Sequence, residues 1–380
     1  MAKKCGGFAK TAVTNGKVLL LIEHMEQPVL IATRRKNNKV ERSYMLSHVV
    51  ILGAGATIAA IPNGDKNGIK SPAMKDFFIK THMEHLLDGF EIKTPSTNLE
   101  DIYSELYENP KYKDKLGVLD DAIYDYFSKL KLPDEPTIYD LLILGLTKDD
   151  LIATFNWDPL LIQAYERCYS ITDNLPKMAF LHGNVALGYC PDCLDYGDVD
   201  NHCPTCGKKF ERSKLLFPIK NKDYNNHELI KGFWEGTQDY IRTASMITVF
   251  GYGAPSSDIE AIKLFKSAWG ALEDRSNEEF SFINIEDEET CIEKWKDFVY
   301  THHYRYSQSF YDSYIAMFPR RSCQVEFATH HGNISHRTDL GFKEGLSFED
   351  LMDMTYPLLR EEAEEEKLTS HYYVRPNQFN

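Results

Sequence analysis

Hydrophobic positions fall into short β-branched runs that stop at glycine or polar clusters, separated by stretches with three- and four-residue spacing. His48-Val49-Val50-Ile51-Leu52 is one such run and ends at Gly53-Ala54-Gly55, the pattern of a buried parallel strand entering a glycine turn. Between Ser71 and Asp150 the period becomes helical, as in Leu99, Ile102, Tyr103 and Leu106, with Asn98 placed to cap a helix. Strand-like runs return at Leu151–Thr154, Met178–Leu181, Met246–Phe250 and Phe280–Ile285, and Ser257–Trp269 reads as a helix. Strands alternating with helices predict an α/β fold, a Rossmann-like doubly wound parallel sheet with a helical insertion over about 72–150. Residues 1–45 read as an N-terminal β extension with strands at Val18–Ile22 and Pro28–Thr33. Residues 291–380 read as a helical, aromatic-rich segment. Its Tyr304, Tyr306, Phe310, Tyr311 and Tyr314 fall at helical spacing, as in a core or a subunit contact, and Glu361–Glu366 reads as a solvated helix end or tail.

With 380 residues, 43% of them hydrophobic and 12% aromatic, the chain has ample material for a packed core. Its formal charge of −14 argues against non-specific binding of nucleic acid, because a strongly acidic chain repels polyphosphate. No run approaches the roughly 18 apolar residues that span a bilayer. Leu19–Ile22 is interrupted by Glu23 and reads as a strand, not a signal peptide. These features predict a cytoplasmic protein without membrane contact, whose eight cysteines stay reduced.

Four of those cysteines are patterned. Cys190-Pro-Asp-Cys193 and Cys203-Pro-Thr-Cys206-Gly207 form two CxxC knuckles nine residues apart. Two tight turns bearing two thiolates each make a tetrahedral S₄ cage suited to zinc, and four protein ligands leave no open position for chemistry. A structural zinc ribbon over about 188–210 is the expectation. Cys5, Cys168, Cys291 and Cys323 show no such spacing. The pairs His302-His303 and His330-His331 could suggest a second metal, but no third ligand stands at a matching spacing, so surface or interface packing is the reading.

Polar groups punctuate the ends of the strand-like runs. Gly53-Ala54-Gly55-Ala56-Thr57 lacks the third glycine of GxGxxG and alone reads equally as a structural turn or as a loop that admits a pyrophosphate. Thr154-Phe155-Asn156-Trp157-Asp158 is either a ligand-binding strand end or a helix cap before Pro159. His182 in Leu181-His182-Gly183-Asn184 is a structural histidine or a group that accepts a proton near neutrality. Gly251-Tyr252-Gly253 ends a fourth run, and Asn284 and Glu286 end a fifth, where a side chain could bond ribose hydroxyls.

The order of these motifs carries more than any one of them. GAGAT, TFNWD, HG, a double CxxC, GYG and INIE succeed one another over about residues 46–290, and this succession resembles the sirtuin family. The resemblance implies that Gly53, Ala54, Gly55 and Thr57 line the NAD pyrophosphate. It implies that Asn156 holds the nicotinamide ribose and the attacking water, and that Asp158 binds the carboxamide. His182 would be the general base, Gly251 and Gly253 would pass close to phosphate and ribose, and Asn284 would contact the adenosine ribose. Cys190, Cys193, Cys203 and Cys206 would hold the zinc.

The chain also departs from the sirtuin deacylases. Ile61-Pro62-Asn63-Gly64-Asp65 stands where deacylases carry a GIPDFR-like segment, Phe155 replaces Gln, and Ala254-Pro255-Ser256-Ser257-Asp258 leads into a helix where they lay down a peptide-pairing strand. With the long insertion and the C-terminal region, the variant pattern is similar to the sirtuin-like NAD hydrolases of bacterial antiphage defence, some of which pair with a HerA-like ATPase. That resemblance implies an NAD+ glycohydrolase releasing nicotinamide and ADP-ribose, an effector that depletes NAD through abortive infection, a homo-oligomer, and a HerA-like partner. An NAD-dependent lysine deacylase and a non-catalytic NAD or ADP-ribose sensor are the competing readings.

Overall fold

The computed structural model describes residues 46–217, 224, 227–255, 258–275, 278–299, 303–332 and 341–368. The expected N-terminal strands, Ser256 and Ser257 lie outside the described residues. The main sheet contains β1 (His48–Leu52), β2 (Leu151–Thr154), β3 (Lys177–Phe180), β7 (Met246–Phe250), β8 (Glu279–Ile283) and β9 (Tyr304–Ser307), in the spatial order β3-β2-β1-β7-β8-β9. Every pairing in it is parallel. The apolar runs form strands because helices cover both faces of a parallel sheet. Every residue of β1, β2, β7 and β8 is buried.

From β1 the chain winds outward through β2 to β3, then returns to the other side of β1 and winds through β7 and β8 to β9. The direction of winding therefore reverses between β1 and β7. In open α/β sheets that reversal opens a crevice beyond the carboxyl ends of the strands.

Helix α1 (Ala54–Ala60) follows β1 directly. The next ninety residues, up to β2, carry three longer helices joined by irregular chain: α2 (Leu99–Glu108), α3 (Lys113–Ser128) and α4 (Ile138–Leu144). Asn98 caps α2 by accepting from the Glu100 N–H at 2.8 Å. Thr137 and Asp140 form a capping box at the start of α4. Helix α5 (Leu160–Tyr169) packs on α4, and Arg167 binds the buried Asp140 carboxylate through Nε at 3.0 Å and Nη2 at 2.5 Å. Helix α6 (Glu228–Thr243) lies against β2, β3 and α7 (Ile259–Trp269), and α8 (Glu288–Trp295) follows β8.

β4 (Leu187–Tyr189), β5 (Tyr196–Asp198) and β6 (Glu211–Arg212) form a small antiparallel sheet in the order β5-β4-β6 around the four cysteines.

The C-terminal segment differs from its sequence reading. Tyr304 and Tyr306 lie on β9, Phe310 and Tyr311 on a 3₁₀ turn, and Tyr314 opens a short helix at Tyr314–Met317. Two aromatics at spacing two suit a strand, and spacing drawn through several elements imitates one helix. Helices α9 (Ser322–Gly332) and α10 (Phe348–Leu368) complete the described chain, and α10 takes in the acidic run. The buried Arg320 anchors α10 through Glu362, with Nε–Oε1 at 2.6 Å and Nη2–Oε2 at 2.8 Å. The same guanidinium donates to the carbonyls of Leu146 and Asn174. No described helix is long and apolar enough to cross a membrane.

Candidate functional site

The glycine loop after β1 and the loop after β7 touch across the switch point. The Gly53 N–H donates to the Phe250 carbonyl at 3.0 Å, and the Gly55 N–H to the Gly251 carbonyl at 2.9 Å. A Cβ on Gly251, which has φ +61°, would lie 2.4 Å from the Ala56 nitrogen. One on Gly53 would lie 2.6 Å from the Gly251 oxygen. These glycines are required for the approach of one loop to the other. Both glycine N–H groups are thereby engaged by carbonyls at the end of β7. Gly253 has open space about it, and half-buried Ala54 begins α1.

Thr57 is buried, not exposed at the loop surface. Its Oγ1 donates to Asp158 Oδ2 at 2.8 Å, receives the Asn156 amide at 2.9 Å, and lies 2.7 Å from the Tyr139 hydroxyl. One hydrogen and two lone pairs are thereby all used. Tyr139 reaches this point from the first turn of α4. The sequence offered no signal for it, because 81 residues separate it from Thr57 and its type is common in cores.

The Asn156 Nδ2 also donates to the Gly53 carbonyl at 2.8 Å. The amide plane is held from two sides by groups of the β1–α1 junction. Its Oδ1 accepts no hydrogen bond from the described residues.

Asp158 is buried, and its carboxylate is committed internally. Oδ2 accepts from Thr57, Oδ1 accepts from the Leu160 N–H at 3.1 Å at the start of α5, and its backbone carbonyl receives Asn184 Nδ2 at 2.6 Å. Burial raises the Asp158 pKa above the ordinary carboxylate range, and the Thr57 hydrogen bond opposes the rise.

His182 follows β3, the strand next to β2. Its ring is buried edge-on against Phe155, with centroids 4.7 Å apart. Nε2 lies 3.4 Å from the Tyr224 hydroxyl and 3.8 Å from Asp258 Oδ1. The Tyr252 hydroxyl donates to the other Asp258 oxygen at 2.9 Å. From the sequence, Asp258 stands only at the entry to a helix, with no part assigned in the site. It stands at the N-cap of α7.

Phe155, at the position of the missing Gln, stacks on Tyr252 at 4.2 Å with an interplanar angle of 8° and meets Trp234 and Phe265 edge-on. The histidine is thus set in an aromatic wall. Asn284 follows β8 directly, half-buried, and accepts from the Glu286 N–H at 3.1 Å. It is linked to the switch point through β8, whose Ile283 carbonyl receives the Gly251 N–H at 2.9 Å.

The carboxyl edge of the sheet therefore gathers the glycine loops, Thr57, Asn156 and Asp158 into one bonded cluster. His182 stands beside it across Phe155, and Asn284 lies further along the edge. Asp65, in the departing segment, accepts from the Lys131 N–H at 2.9 Å and ties that segment to the chain just beyond α3. A cavity of about 590 Å³ lies away from this cluster, lined by Tyr124, Gln163, Phe180, Asp198 and Arg212 among others, and none of the motif residues faces it.

In the ribbon, the Cys190 and Cys206 sulfurs are 3.6 Å apart, and one ligand atom from each of Cys190, Cys193, Cys203 and Cys206 lies within 4.8 Å of the others. Thiolates at about 2.3 Å from a tetrahedral zinc stand about 3.8 Å apart, so the set fits that ion. The knuckles match in backbone as well. Leu194 N–H donates to Cys190 O and Gly207 N–H to Cys203 O, each at 2.8 Å, with φ of +60° and +72°.

No protein-family model and no curated protein matches the chain. Among solved structures it is similar to a Sir2 homologue in complex with NAD, at 15% identity over 75% of this chain and 88% of that one, with a TM-score of 0.36. It is also similar to a mutant Sir2 homologue bound to ADP-ribose, at 13% identity over 83% and 93%, with a TM-score of 0.37. A third likeness is to Sir2 bound to an acetylated peptide, at 17% identity over 77% and 94%, with a TM-score of 0.33.

Proposed function

We propose that the chain is a sirtuin-like NAD+ glycohydrolase, with the switch-point crevice as its NAD site. The observation that carries this reading is the fixing of Asn156. Its amide nitrogen is held by Gly53 and Thr57 while its oxygen accepts nothing from the described residues, so the oxygen is pre-oriented toward a ligand. The order of motifs that resembles the sirtuins supplies the identity of that ligand.

The reaction follows from the groups. The N-glycosidic bond breaks as nicotinamide leaves with the bonding pair, which neutralises its pyridinium charge. A water held by Asn156 Oδ1 forms the new C–O bond to the ribose carbon. His182 takes the proton from that water, and Asp258 at 3.8 Å stabilises the imidazolium. Asp158 keeps Thr57 and the start of α5 in place, and its contact with the carboxamide requires one of those bonds to open. Zinc, if held by Cys190, Cys193, Cys203 and Cys206, would supply only the fold of the ribbon, since four protein ligands leave no open position. The aromatic wall around Phe155 favours hydrolysis over deacylation, since it fills space beside His182 with rings.

The test is a product assay. Purified chain, with and without a HerA-like ATPase, is incubated with NAD+, and nicotinamide and ADP-ribose are separated by chromatography. Hydrolysis lost in both Asn156→Ala and His182→Ala supports the reading. Acyl loss from a lysine peptide in proportion to nicotinamide release favours the deacylase, and binding without nicotinamide release favours the sensor. An antiphage role is tested by phage challenge of cells carrying the wild-type or Asn156→Ala chain while NAD is followed.

A further inference from the structure

One member of the histidine pairs, His330, meets two carboxylates in the fold. Glu326 and His330 stand one turn apart on α9, with His330 Nδ1 3.5 Å from Glu326 Oε1. Two ligands of one tetrahedral ion, bound at about 2.1 Å, are about 3.4 Å apart. Glu279, the first residue of β8, brings a carboxylate from the sheet, and one ligand atom of each of Glu279, Glu326 and His330 lies within 4.8 Å of the other two. The His303 ring, just before β9, meets the His330 ring at 4.7 Å.

We propose that Glu279, Glu326 and His330 form a second site for a divalent transition metal, at the amino edge of the sheet and separate from the four-cysteine cage. Glu279 is only 7% exposed, and its side chain makes no hydrogen bond or ion pair with any described residue. Glu326 is 5% exposed. Two buried carboxylates facing one another are costly unless a cation joins them. Arg305 acts on both, yet its guanidinium is turned over the Tyr314 ring at 4.2 Å and donates to that hydroxyl at 3.2 Å. Two oxygens and one imidazole nitrogen suit zinc or manganese, and three protein ligands leave a position for water. The ion would clamp α9 to the start of β8.

The test measures metal content and heat stability on the full chain. After metal removal, refilling with zinc and gel filtration, wild type is expected to hold two zinc ions per chain. Glu279→Gln and Glu326→Gln, which keep shape and remove the repulsion, and His330→Ala, at a half-exposed position, are expected to hold one. Refilling with cobalt separates the sites. Sulfur-to-cobalt charge-transfer bands persist in all three variants, while the second equivalent and its visible bands disappear. Added zinc raises the Tm of wild type beyond that of the variants. One zinc per chain in wild type, or two in wild type and all variants alike, overturns the proposal.

Discussion

Replacing Thr57 by valine keeps the shape of a buried side chain and removes the hydroxyl on which the candidate site converges. Three contacts go with it: the bond to Asp158 at 2.8 Å, the Asn156 amide at 2.9 Å and the Tyr139 hydroxyl at 2.7 Å. A hydrogen bond to a charged group contributes about 1.5–3 kcal/mol and a neutral one about 1 kcal/mol. Because the three share one atom they are not additive, and a loss of about 3 kcal/mol is expected. At roughly 2.1 cal/mol/K of unfolding entropy per residue, that lowers the Tm of a chain this long by about 4 °C. The fold survives, since typical stabilities are about 5–15 kcal/mol.

The loss carries a pH signature. Burial already raises the Asp158 pKa, and the Thr57 bond is the first cause opposing it. Without that bond the folded-state pKa moves further above the unfolded value. Stability drawn from a raised acid is present below the unfolded pKa and is lost as pH rises through the folded one. The gap between wild type and Thr57→Val therefore widens as pH rises above the ordinary carboxylate range, which thermal unfolding across a pH series measures. Turnover of NAD+ falls as well, by about 10²-fold, because the Asn156 amide loses one of its two close anchors. Unchanged stability at pH 8 together with unchanged turnover would refute the claim that this hydroxyl organises the site.

Gly251→Ala places a methyl 2.4–2.6 Å from the Gly55–Ala56 backbone at a left-handed φ, so it is expected to cost at least about 2 kcal/mol and to separate the two loops, measured by denaturant unfolding and NAD+ binding. Chelation of the metal, or Cys206→Ser, is expected to open residues 187–212 to limited proteolysis while β1–β3 stay protected, because the ribbon's core is little more than its cysteines and Phe210. Burial pushes the His48 pKa down to about 3, so the folded chain leaves it neutral where the unfolded chain protonates it. Its contribution is complete above pH 6.5 and declines as pH falls toward 3. His48→Asn should therefore show a shallower loss of stability from pH 7 to pH 5 in denaturant titrations, and an equal slope would remove His48 as the cause.

Much of the fold could be read along the chain because its signals are local. A β-branched run ending in glycine becomes a buried strand wherever helices can cover it, as β1 and β7 do. Asn98 caps α2 through a bond spanning two residues, and the two CxxC knuckles assemble from turns whose geometry lies within four residues. Strand β9 escaped notice because Tyr304 and Tyr306 belong also to a chance helical spacing with Phe310 and Tyr314.

The candidate site was legible in its residue types but not in its wiring. Asn156 and His182 read as polar groups at strand ends. That Thr57 would be buried under Tyr139, that Asp158 would spend an oxygen on Thr57, and that Asp258 would face His182 are facts of contact between segments far apart along the chain, 82 residues for the first pair and 101 for the second. The sequence by itself determined β1, β2, β3, β7 and β8, the cysteine cage and the order of the motifs, since each depends on neighbours within a turn or a strand. Only the tertiary structure decided which side chains meet at the switch point and at the amino edge. Hydrogen bonds and close ion pairs act over about 3 Å, and a linear spacing does not encode distances across a sheet.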